Sequence, residues 1–447
     1  MTKLKIAVPV VGIITLALAA LVACSGGEAK DGADKPNKGA KADGKAPAGE
    51  FKAPEPVQEA LVGGPYPSLM LTQSVFVKDA DGKPKPGPAR LDIWRDTGDG
   101  WKLTRLEDGD SNVFHKAIQL DDGSLLTIGA EGANLKKWTH ADGKWSNETL
   151  WSKDWGGKFQ RLRDLEIADV NGDGADDYIL ATHDSGVVAV IEPGLGEGGT
   201  HKVTEMDQKA DTFVHEIEVG DVDGDGQLEF FATPSDRNQA GKSQAGGVVM
   251  YKWNGKSWDK TWVEEQHGTH AKEILAVDLD GDGVTELFSV LEAEIDPNDK
   301  RKVVTPVTVR QYVYDAAAKT FTATDIASIE DRQTRFLVPG DFDGDGQVEL
   351  VAAAMSSGLF LLEPPAEDSE SPEWTTNRFD QSSGGFEHST YAADLDGDGI
   401  PELYVAADTQ RELKRYIWNA ERGTFDKQLL GRLEQDIITW NITTGSL

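Results

Sequence analysis

Five segments between residues 169 and 402 repeat one acidic pattern, Asp-x-(Asp/Asn)-Gly-Asp-Gly-x-x-(Asp/Glu). Oxygen-bearing side chains at positions 1, 3, 5 and 9 of a tight loop can converge on one point, and such ligands suit a hard divalent cation. Calcium tolerates this shell better than magnesium, which requires near-ideal octahedral geometry. We therefore expect about five structural calcium ions. The predicted ligands are Asp169, Asn171, Asp173, Asp177; Asp221, Asp223, Asp225, Glu229; Asp278, Asp280, Asp282, Glu286; Asp341, Asp343, Asp345, Glu349; and Asp394, Asp396, Asp398, Glu402.

A calcium site of the EF-hand type begins with a similar pattern but does not fit these loops. That site needs a bidentate Glu at position 12, between two helices. Here position 12 has no carboxylate and is occupied by Leu180, Ala232, Ser289, Ala352 and Val405. Each loop also runs into an apolar segment rich in strand-forming residues, such as Phe230-Phe-Ala-Thr. The loops are therefore predicted to connect β-strands.

The spacing of the loops defines a repeating unit. Their first ligands lie 52, 57, 63 and 53 residues apart, which is the length of about four strands with their turns and is typical of solenoids and propellers. In the clearest unit we predict strands at 215–220, 228–233, 247–253 and 258–263, with Asn254-Gly255 joining the last two as a hairpin. The chain is therefore predicted to be all-β.

Further strands flank the five units. A degenerate unit starts at His115, keeps its strand pattern and reduces the acidic loop to Asp121-Asp122-Gly123. Between residues 68 and 105 three strands lack a first partner, while Asp436-Ile-Ile-Thr-Trp-Asn-Ile is one strand without a unit. Pairing this strand with the incomplete unit removes open sheet edges, which invite aggregation. The result is a closed ring of seven blades.

These loops and strands resemble FG-GAP or VCBS-type repeats, which are found in integrin α-chain propellers, in some fungal lectins and in many bacterial secreted proteins. The resemblance covers residues 64–447, and the calcium loop is its specific part. It implies an all-β, seven-bladed β-propeller with calcium in the loops between strands one and two of five blades. It supplies no reaction, because this fold hosts adhesion, sugar binding and a few lyases.

The N-terminus is predicted to be an export signal. Lys3 and Lys5 precede an apolar run from Ile6 to Val22, as in a secretory signal peptide covering residues 1–23. Cys24 is the only cysteine of the chain, and its setting resembles a bacterial lipobox. This resemblance implies cleavage before Cys24, lipidation of that residue and stable anchoring in a membrane. The Ser25 that follows resembles an outer-membrane address, so we expect an exported protein anchored to the cell envelope.

The composition divides the mature chain into a tether and one globular part. Residues 24–60 have almost no large apolar side chains, so they cannot offset the entropy of ordering and are predicted to form a disordered linker. The propeller is predicted for residues 61–447. The net charge is −32, and most predicted metal ligands contribute to it. Because phosphate binding needs a basic face, nucleic acid is not expected as a partner.

A second candidate site appears six residues before the first ligand of each loop, at the start of the innermost strand. The same count from Asp121 applies to the degenerate unit. The occupants, all basic or imidazole side chains, are His115, Arg163, His215, Lys272, Arg335 and His388. In a propeller they would surround one mouth of the central channel, opposite the calcium loops, as a collar for a carboxylate or phosphate group. Alternatively, they pair with neighbouring acids such as Asp164, Glu216 and Glu273.

Tryptophans and two loops complete the candidates. The chain has 12 Trp residues, many on predicted strands three and four; they are expected to pack between blades, and sugar stacking is the alternative. The segments 235–246 and 292–304 follow strand two, so they are expected on the collar face.

The motif search favours binding over catalysis. The sequence contains no Gly-x-Ser-x-Gly elbow, His-Glu-x-x-His helix or phosphate-binding glycine loop. We therefore expect a lipid-anchored scaffold that binds or adheres to a glycan or a protein. The alternative is a polysaccharide-processing enzyme, a lyase or hydrolase, that uses the collar.

Overall fold

A computed structural model describes residues 64–156, 161–196, 199–237, 242–366 and 373–447. The regular elements of these ranges are β-strands. Within the same ranges, no helix combines the length and apolar character needed to cross a membrane. The predicted signal peptide, Cys24 and the linker at 24–60 lie outside the described residues.

The strands form seven antiparallel blades of four main strands each. Blade one begins with β1 (Pro67–Lys78), β2 (Pro84–Pro86), β3 (Ala89–Asp96) and β4 (Trp101–Asp108). Blade two is β5 (Phe114–Gln119), β6 (Leu125–Gly129), β7 (Asn134–Ala141) and β8 (Lys144–Ser152). Blade three is β9 (Leu162–Ala168), β10 (Asp177–Thr182), β11 (Val188–Glu192) and β12 (Lys202–Met206).

Blade four is β13 (Thr212–Gly220), β14 (Glu229–Asp236), β15 (Gly246–Trp253) and β16 (Trp258–Gln266). Blade five is β17 (Ala271–Val277), β18 (Glu286–Leu291), β21 (Val307–Asp315) and β22 (Thr320–Ile329), with an inserted hairpin of β19 (Glu294–Ile295) and β20 (Val303–Thr305). Blade six is β23 (Thr334–Gly340), β24 (Glu349–Ala354), β25 (Gly358–Glu363) and β26 (Thr375–Asp380). Blade seven is β27 (Thr390–Ala393), β28 (Glu402–Ala407), β29 (Glu412–Asn419) and β30 (Thr424–Arg432).

The ring closes through the last strand. β31 (Ile437–Ser446) pairs with β1 and becomes the innermost strand of blade one, with Leu71 opposite Ile442. The innermost strands of successive blades contact one another in order, and β31 contacts both β27 and β5. The predicted seven blades, and the assignment of the C-terminal strand to blade one, are confirmed.

The core lies between adjacent blades. Successive side chains of a strand point to opposite faces of its sheet, so both faces of each blade need apolar residues. On β14, Phe230 packs with Val190 of blade three, whereas Phe231 packs with Leu287 of blade five. Both phenylalanines are fully buried. This two-sided burial explains why an apolar run follows every acidic loop.

Candidate metal loops and channel mouth

The acidic loops share one backbone turn in the five blades. Each loop follows the innermost strand and ends at position 9, where the second strand begins. The glycines at positions 4 and 6 have positive φ, for example 75° at Gly344 and 95° at Gly346, which a residue with a Cβ rarely adopts. The carboxylate at position 1 accepts hydrogen bonds from these glycines, and Asp341 receives both Gly344 N–H (2.8 Å) and Gly346 N–H (3.1 Å). The repeated glycines therefore serve the turn.

Ligand oxygens converge at four of the loops. In blade six, Asp341, Asp343, Asp345 and Glu349 bring one oxygen each to within 4.8 Å of one another. Three acids do so in each of the other three loops: Asp221, Asp223, Asp225; Asp278, Asp280, Asp282; and Asp394, Asp396, Glu402. Glu349 is 4% exposed, and its Oε2 accepts the Phe342 N–H at 2.9 Å, which fixes its direction. Groups of carboxylate oxygens fit the preferences of calcium, but in blade four the Lys252 ammonium also contacts Asp223 and Asp225.

The first loop differs because Asn171 replaces an acid at position 3. Its side-chain amide donates to Oδ2 of Asp177 at 3.0 Å. In the degenerate blade two, Asp122 instead contacts the Lys137 ammonium at 2.7 Å. Substitutions in the loop are thus accompanied by local polar contacts that satisfy the remaining acids.

The position-9 carboxyls are difficult to ionise. Burial raises the pKa of Glu349 to about 7, and the neighbouring Asp343 and Asp345 add to the shift. Burial also raises the pKa of Asp177 to about 7, with Glu192 as the next contributor. A divalent cation would reverse this effect, because an opposite charge nearby favours the ionised form.

All six predicted collar residues lie at one end of the innermost strands, near the channel mouth. In β5, β9, β13, β17 and β23 the pairing with the second strand is interrupted at the collar residue by a bulge. His388 precedes β27 and has a positive φ of 59°. Bulges re-aim side chains, and these irregularities take the collar residues of the five strands out of the regular ladder.

The collar side chains are buried and contact neighbouring groups. Each of the six is between 0% and 8% exposed. Arg163 contacts Glu216 at 3.5 Å and Glu387 at 3.6 Å, and Arg335 also donates to Glu387. Lys272 contacts His215, with 3.1 Å between Nζ and Nε2. The pairing with neighbouring acids, considered above as the alternative, is therefore present, while anion binding stays a prediction.

Two collar histidines bond to the backbone of adjacent blades. Nδ1 of His115 donates to the Leu162 carbonyl at 2.6 Å, and Nδ1 of His388 donates to the Ala354 carbonyl at 2.7 Å. Burial lowers the pKa of His388 to about 4 and that of His115 well below its ordinary value. Both rings act as links between blades through these hydrogen bonds.

An acidic layer lies beside the basic residues inside the channel. Asp164 and Glu273 accept backbone N–H groups of the following blades, Ile217 at 2.7 Å and Leu337 at 3.3 Å. Burial raises the pKa of Glu216 and Glu273 well above the ordinary range. Burial also lowers the pKa of Lys272 to about 7. The lumen thus contains both signs of charge.

Sequence reasoning missed two participants at the mouth, Glu387 and Trp440. Arg163 lies over the Trp440 ring at 5.6 Å, and the His115 ring meets it edge-on at 4.8 Å. Glu387 adjoins a collar position in sequence, which was an available signal. Trp440 comes from the strand that completes blade one, so its place follows only from the ring closure.

Most described tryptophans pack against other residues, as expected. Trp138 is 4% exposed, donates to Thr127 of the same blade at 2.9 Å and packs in a cluster with Leu91 of blade one. Trp262 is an exception at 44% exposed, with the Lys260 ammonium 5.3 Å from its ring. The inserted hairpin β19–β20 stands on the collar face, where Ile295 N–H bonds to Ser243 Oγ at 2.8 Å.

The seven blades form a closed ring, because the C-terminal strand completes the sheet of blade one. With acidic loops at one end of the innermost strands, this arrangement is a seven-bladed β-propeller. A family model described as an FG-GAP-like repeat matches residues 169–232 and 341–405. The chain therefore carries FG-GAP-like repeats within this propeller. A comparison with curated protein sequences finds no match.

Solved structures share the fold at low sequence identity. A protein from Lactobacillus plantarum has a TM-score of 0.50 at 11% identity, covering 85% of this chain and 99% of its own. A mutant apocarotenoid oxygenase of Synechocystis has a TM-score of 0.50 at 14% identity, covering 89% and 94%. A 6-phosphogluconolactonase candidate from Bacteroides uniformis has a TM-score of 0.50 at 10% identity, covering 85% and 99%. At such identities the likeness establishes the fold alone.

Proposed function

We propose that the chain is a calcium-binding, lipid-anchored propeller of the cell envelope that acts as a binding or adhesion scaffold for a glycan or protein partner. The observation that carries the proposal is the convergence of carboxylates at one end of the innermost strands. Calcium bound there would cross-link the first and second strands of a blade, so its role is structural. The opposite face is then free to carry the partner site.

The place where the chain enters blade one supports this division of faces. Pro67 pairs with Ser446 at the ends of β1 and β31. The Ser446 carbonyl accepts the Gln119 side-chain amide at 3.0 Å, and Gln119 ends β5 beside the degenerate acidic loop. The chain thus enters the propeller on the calcium-loop face. A tether preceding residue 64 and anchored at Cys24 would leave that face toward the membrane and direct the collar face outward.

The collar face offers exposed groups to a partner at its rim. On the hairpin β19–β20, Arg301 is 91% exposed along its side chain and Val304 is 52% exposed. By contrast, the collar cations within the mouth are already paired. Loops positioned by a rigid scaffold commonly carry recognition, so the rim with its inserted hairpin is the surface that we assign to the partner.

One observation favours the enzyme alternative. Asp164 and Glu216 share a hydrogen bond in the lumen, and burial raises the pKa of Glu216. A carboxyl with a raised pKa beside one with a lowered pKa is the pattern of an acid and base pair for glycan cleavage. A lyase or hydrolase acting on an acidic polysaccharide would use this pair with Arg163 nearby.

A glycan array paired with a turnover assay tests both functions on the chain from residue 55, which contains every described strand. The scaffold function expects calcium-dependent retention of a glycan, or capture of a purified surface protein, without cleavage. Release of unsaturated or reducing-end products from acidic polysaccharides would replace it with the enzyme. Once a ligand is known, His215→Ala and Arg335→Ala test the collar, since unchanged affinity in both variants would remove the collar from the binding site.

A further inference from the structure

The acidic loop of blade four has a lysine at its centre. Nζ of Lys252 lies 2.7 Å from Asp223 Oδ2, 2.8 Å from Asp225 Oδ2 and 2.6 Å from Glu229 Oε1. These three carboxylates are predicted metal ligands at positions 3, 5 and 9. One ammonium therefore occupies the point at which they would hold an ion.

The register of the blade places this lysine. Tyr251 pairs with Phe230, so the next residue, Lys252, stands beside Glu229 across the ladder. In each of the other four loop-bearing blades, loop position 10 pairs with a residue of strand three. The residue after that partner is the counterpart of Lys252. None of these counterparts is basic: they are Glu192, Val313, Glu363 and Ile417.

The strand-three side chain beside the loop is positive in blade four and negative in blades three and six. Glu363 adds a carboxylate beside its loop, which increases the attraction for a divalent cation, and Glu192 adds one that also contacts the Lys202 ammonium at 2.6 Å. Lys252 adds a positive charge instead and supplies three hydrogen-bond donors, which matches the three carboxylates that it contacts. The lysine side chain is 26% exposed, whereas that of Glu229 is fully buried, so the ammonium neutralises a carboxylate that water cannot reach.

In blade seven an arginine lies beside the acidic loop without reaching its centre. Arg415 Nη1 lies 3.3 Å from Glu402 Oε1 and 3.9 Å from Asp396 Oδ2, while its other nitrogens donate to Gln428. The guanidinium thus stays at the edge of its loop. Lys252 differs because its single charged atom lies among three ligand oxygens.

From this geometry we infer that the blade-four loop is closed by Lys252 in place of calcium, so that this blade is metal-independent while the remaining loops bind calcium. The inference rests on the proposed calcium binding of those other loops. A cation is still required where carboxylates converge, and in blade four the chain supplies it as a side chain. Five similar sequence motifs therefore comprise two kinds of site.

Calcium stoichiometry measured by equilibrium dialysis and by isothermal titration tests the inference on the folded chain. Lys252→Met should bind one more calcium ion per chain than the parent protein, and calcium should raise its Tm more than that of the parent. Lys260→Met, which removes an ammonium from strand four of the same blade, is the matched control and should leave the stoichiometry unchanged. An unchanged stoichiometry in a folded Lys252→Met variant overturns the inference.

A second pair of variants covers the case in which Lys252→Met fails to fold. Asp225→Ala should leave the number of bound calcium ions unchanged, whereas Asp345→Ala, at the same position of blade six, should remove one. Loss of one ion in Asp225→Ala contradicts the lysine closure. If the parent binds no calcium, the proposed calcium function fails and the inference fails with it, whereas calcium binding by the parent together with loss of one ion in Asp225→Ala overturns the lysine closure alone.

Discussion

Arg163 of blade three reaches Glu387 at the start of blade seven, with 3.6 Å between Nη2 and Oε2 across the channel mouth. The other oxygen of Glu387 accepts a hydrogen bond from Arg335 of blade six. One carboxylate therefore connects three blades that are not all neighbours. Its side chain is fully buried. The contact links blades three and seven, which share no β-ladder.

Glu387→Gln should destabilise the propeller. The change leaves two buried guanidinium groups without their shared counter-charge, and breaking a buried pair in this way costs about 3 kcal/mol. Urea denaturation at pH 7 measures the loss. Glu107→Gln is the control, because its carboxylate, 47% exposed, pairs with Arg90 near the surface and should cost less than about 1 kcal/mol. Equal effects of the two substitutions would contradict a special role for Glu387.

Chelation of calcium should lower Tm by several degrees. A ligand that binds only the native state stabilises it by mass action, and its removal withdraws that contribution. Differential scanning calorimetry with calcium or with EGTA gives the shift. Asp345→Ala should reduce this calcium-dependent shift, whereas Asp81→Ala, an exposed acid outside the loops, should preserve it. A melting curve indifferent to chelator would contradict the metal assignment.

Acidification should destabilise the fold through His388. The pKa of this buried ring is lowered to about 4, against about 6.5 in an unfolded chain. Between these values the unfolded state binds the proton and the native state does not, so stability is present above pH 6.5 and falls as the pH decreases toward 4. At pH 5 the loss from this group is about 2 kcal/mol.

Denaturation midpoints from pH 7.5 to pH 5 test this expectation. Relative to the parent, His388→Gln should become more stable as the pH falls, because glutamine does not titrate while the raised pKa values of Asp177 and Glu349 act alike on both proteins. The exposed His267 supplies the control variant, His267→Gln, which should retain the parent slope. A parent-like slope in His388→Gln would show that other groups govern the acid sensitivity.

Ile442→Ala should weaken ring closure. Ile442 on β31 is fully buried and packs with Leu69 and Leu71 of β1. Truncating such a side chain costs about 3 kcal/mol from lost transfer energy and the cavity. Val313→Ala, at a site 55% exposed, should change stability by less than about 0.5 kcal/mol. A similar urea midpoint for both variants would mean that the closing sheet contributes little.

The sequence was sufficient for the fold because each acidic loop marks the same point of a blade. The distance from Asp221 to Asp278 spans one complete unit, and the unpaired strand near Asp436 could only complete the unit that lacked one. The collar was only partly predictable. Counting back from the loops located Arg163 and Arg335, but their shared partner Glu387 depends on how blades three, six and seven face one another across the channel.

The metal loops show a similar limit. Positions within one loop are local in sequence, so the acids that converge there could be predicted directly. Lys252 lies more than twenty residues after Glu229, and its approach to the loop depends on the pairing of β14 with β15. Cross-strand register, rather than the motif itself, places the Lys252 ammonium at this loop.

The pairing of the two ends of the propeller also has a mechanical consequence. Tyr66 and Leu447 exchange two backbone hydrogen bonds, of 2.9 Å and 3.0 Å, at the point where the N-terminal segment joins blade one. A pulling force along that segment acts lengthwise on β1, which is bonded to β31 on one side and β3 on the other. The two ladders are then loaded in shear, so their hydrogen bonds resist together instead of breaking one by one. Blade one therefore resists a force applied through the N-terminal segment.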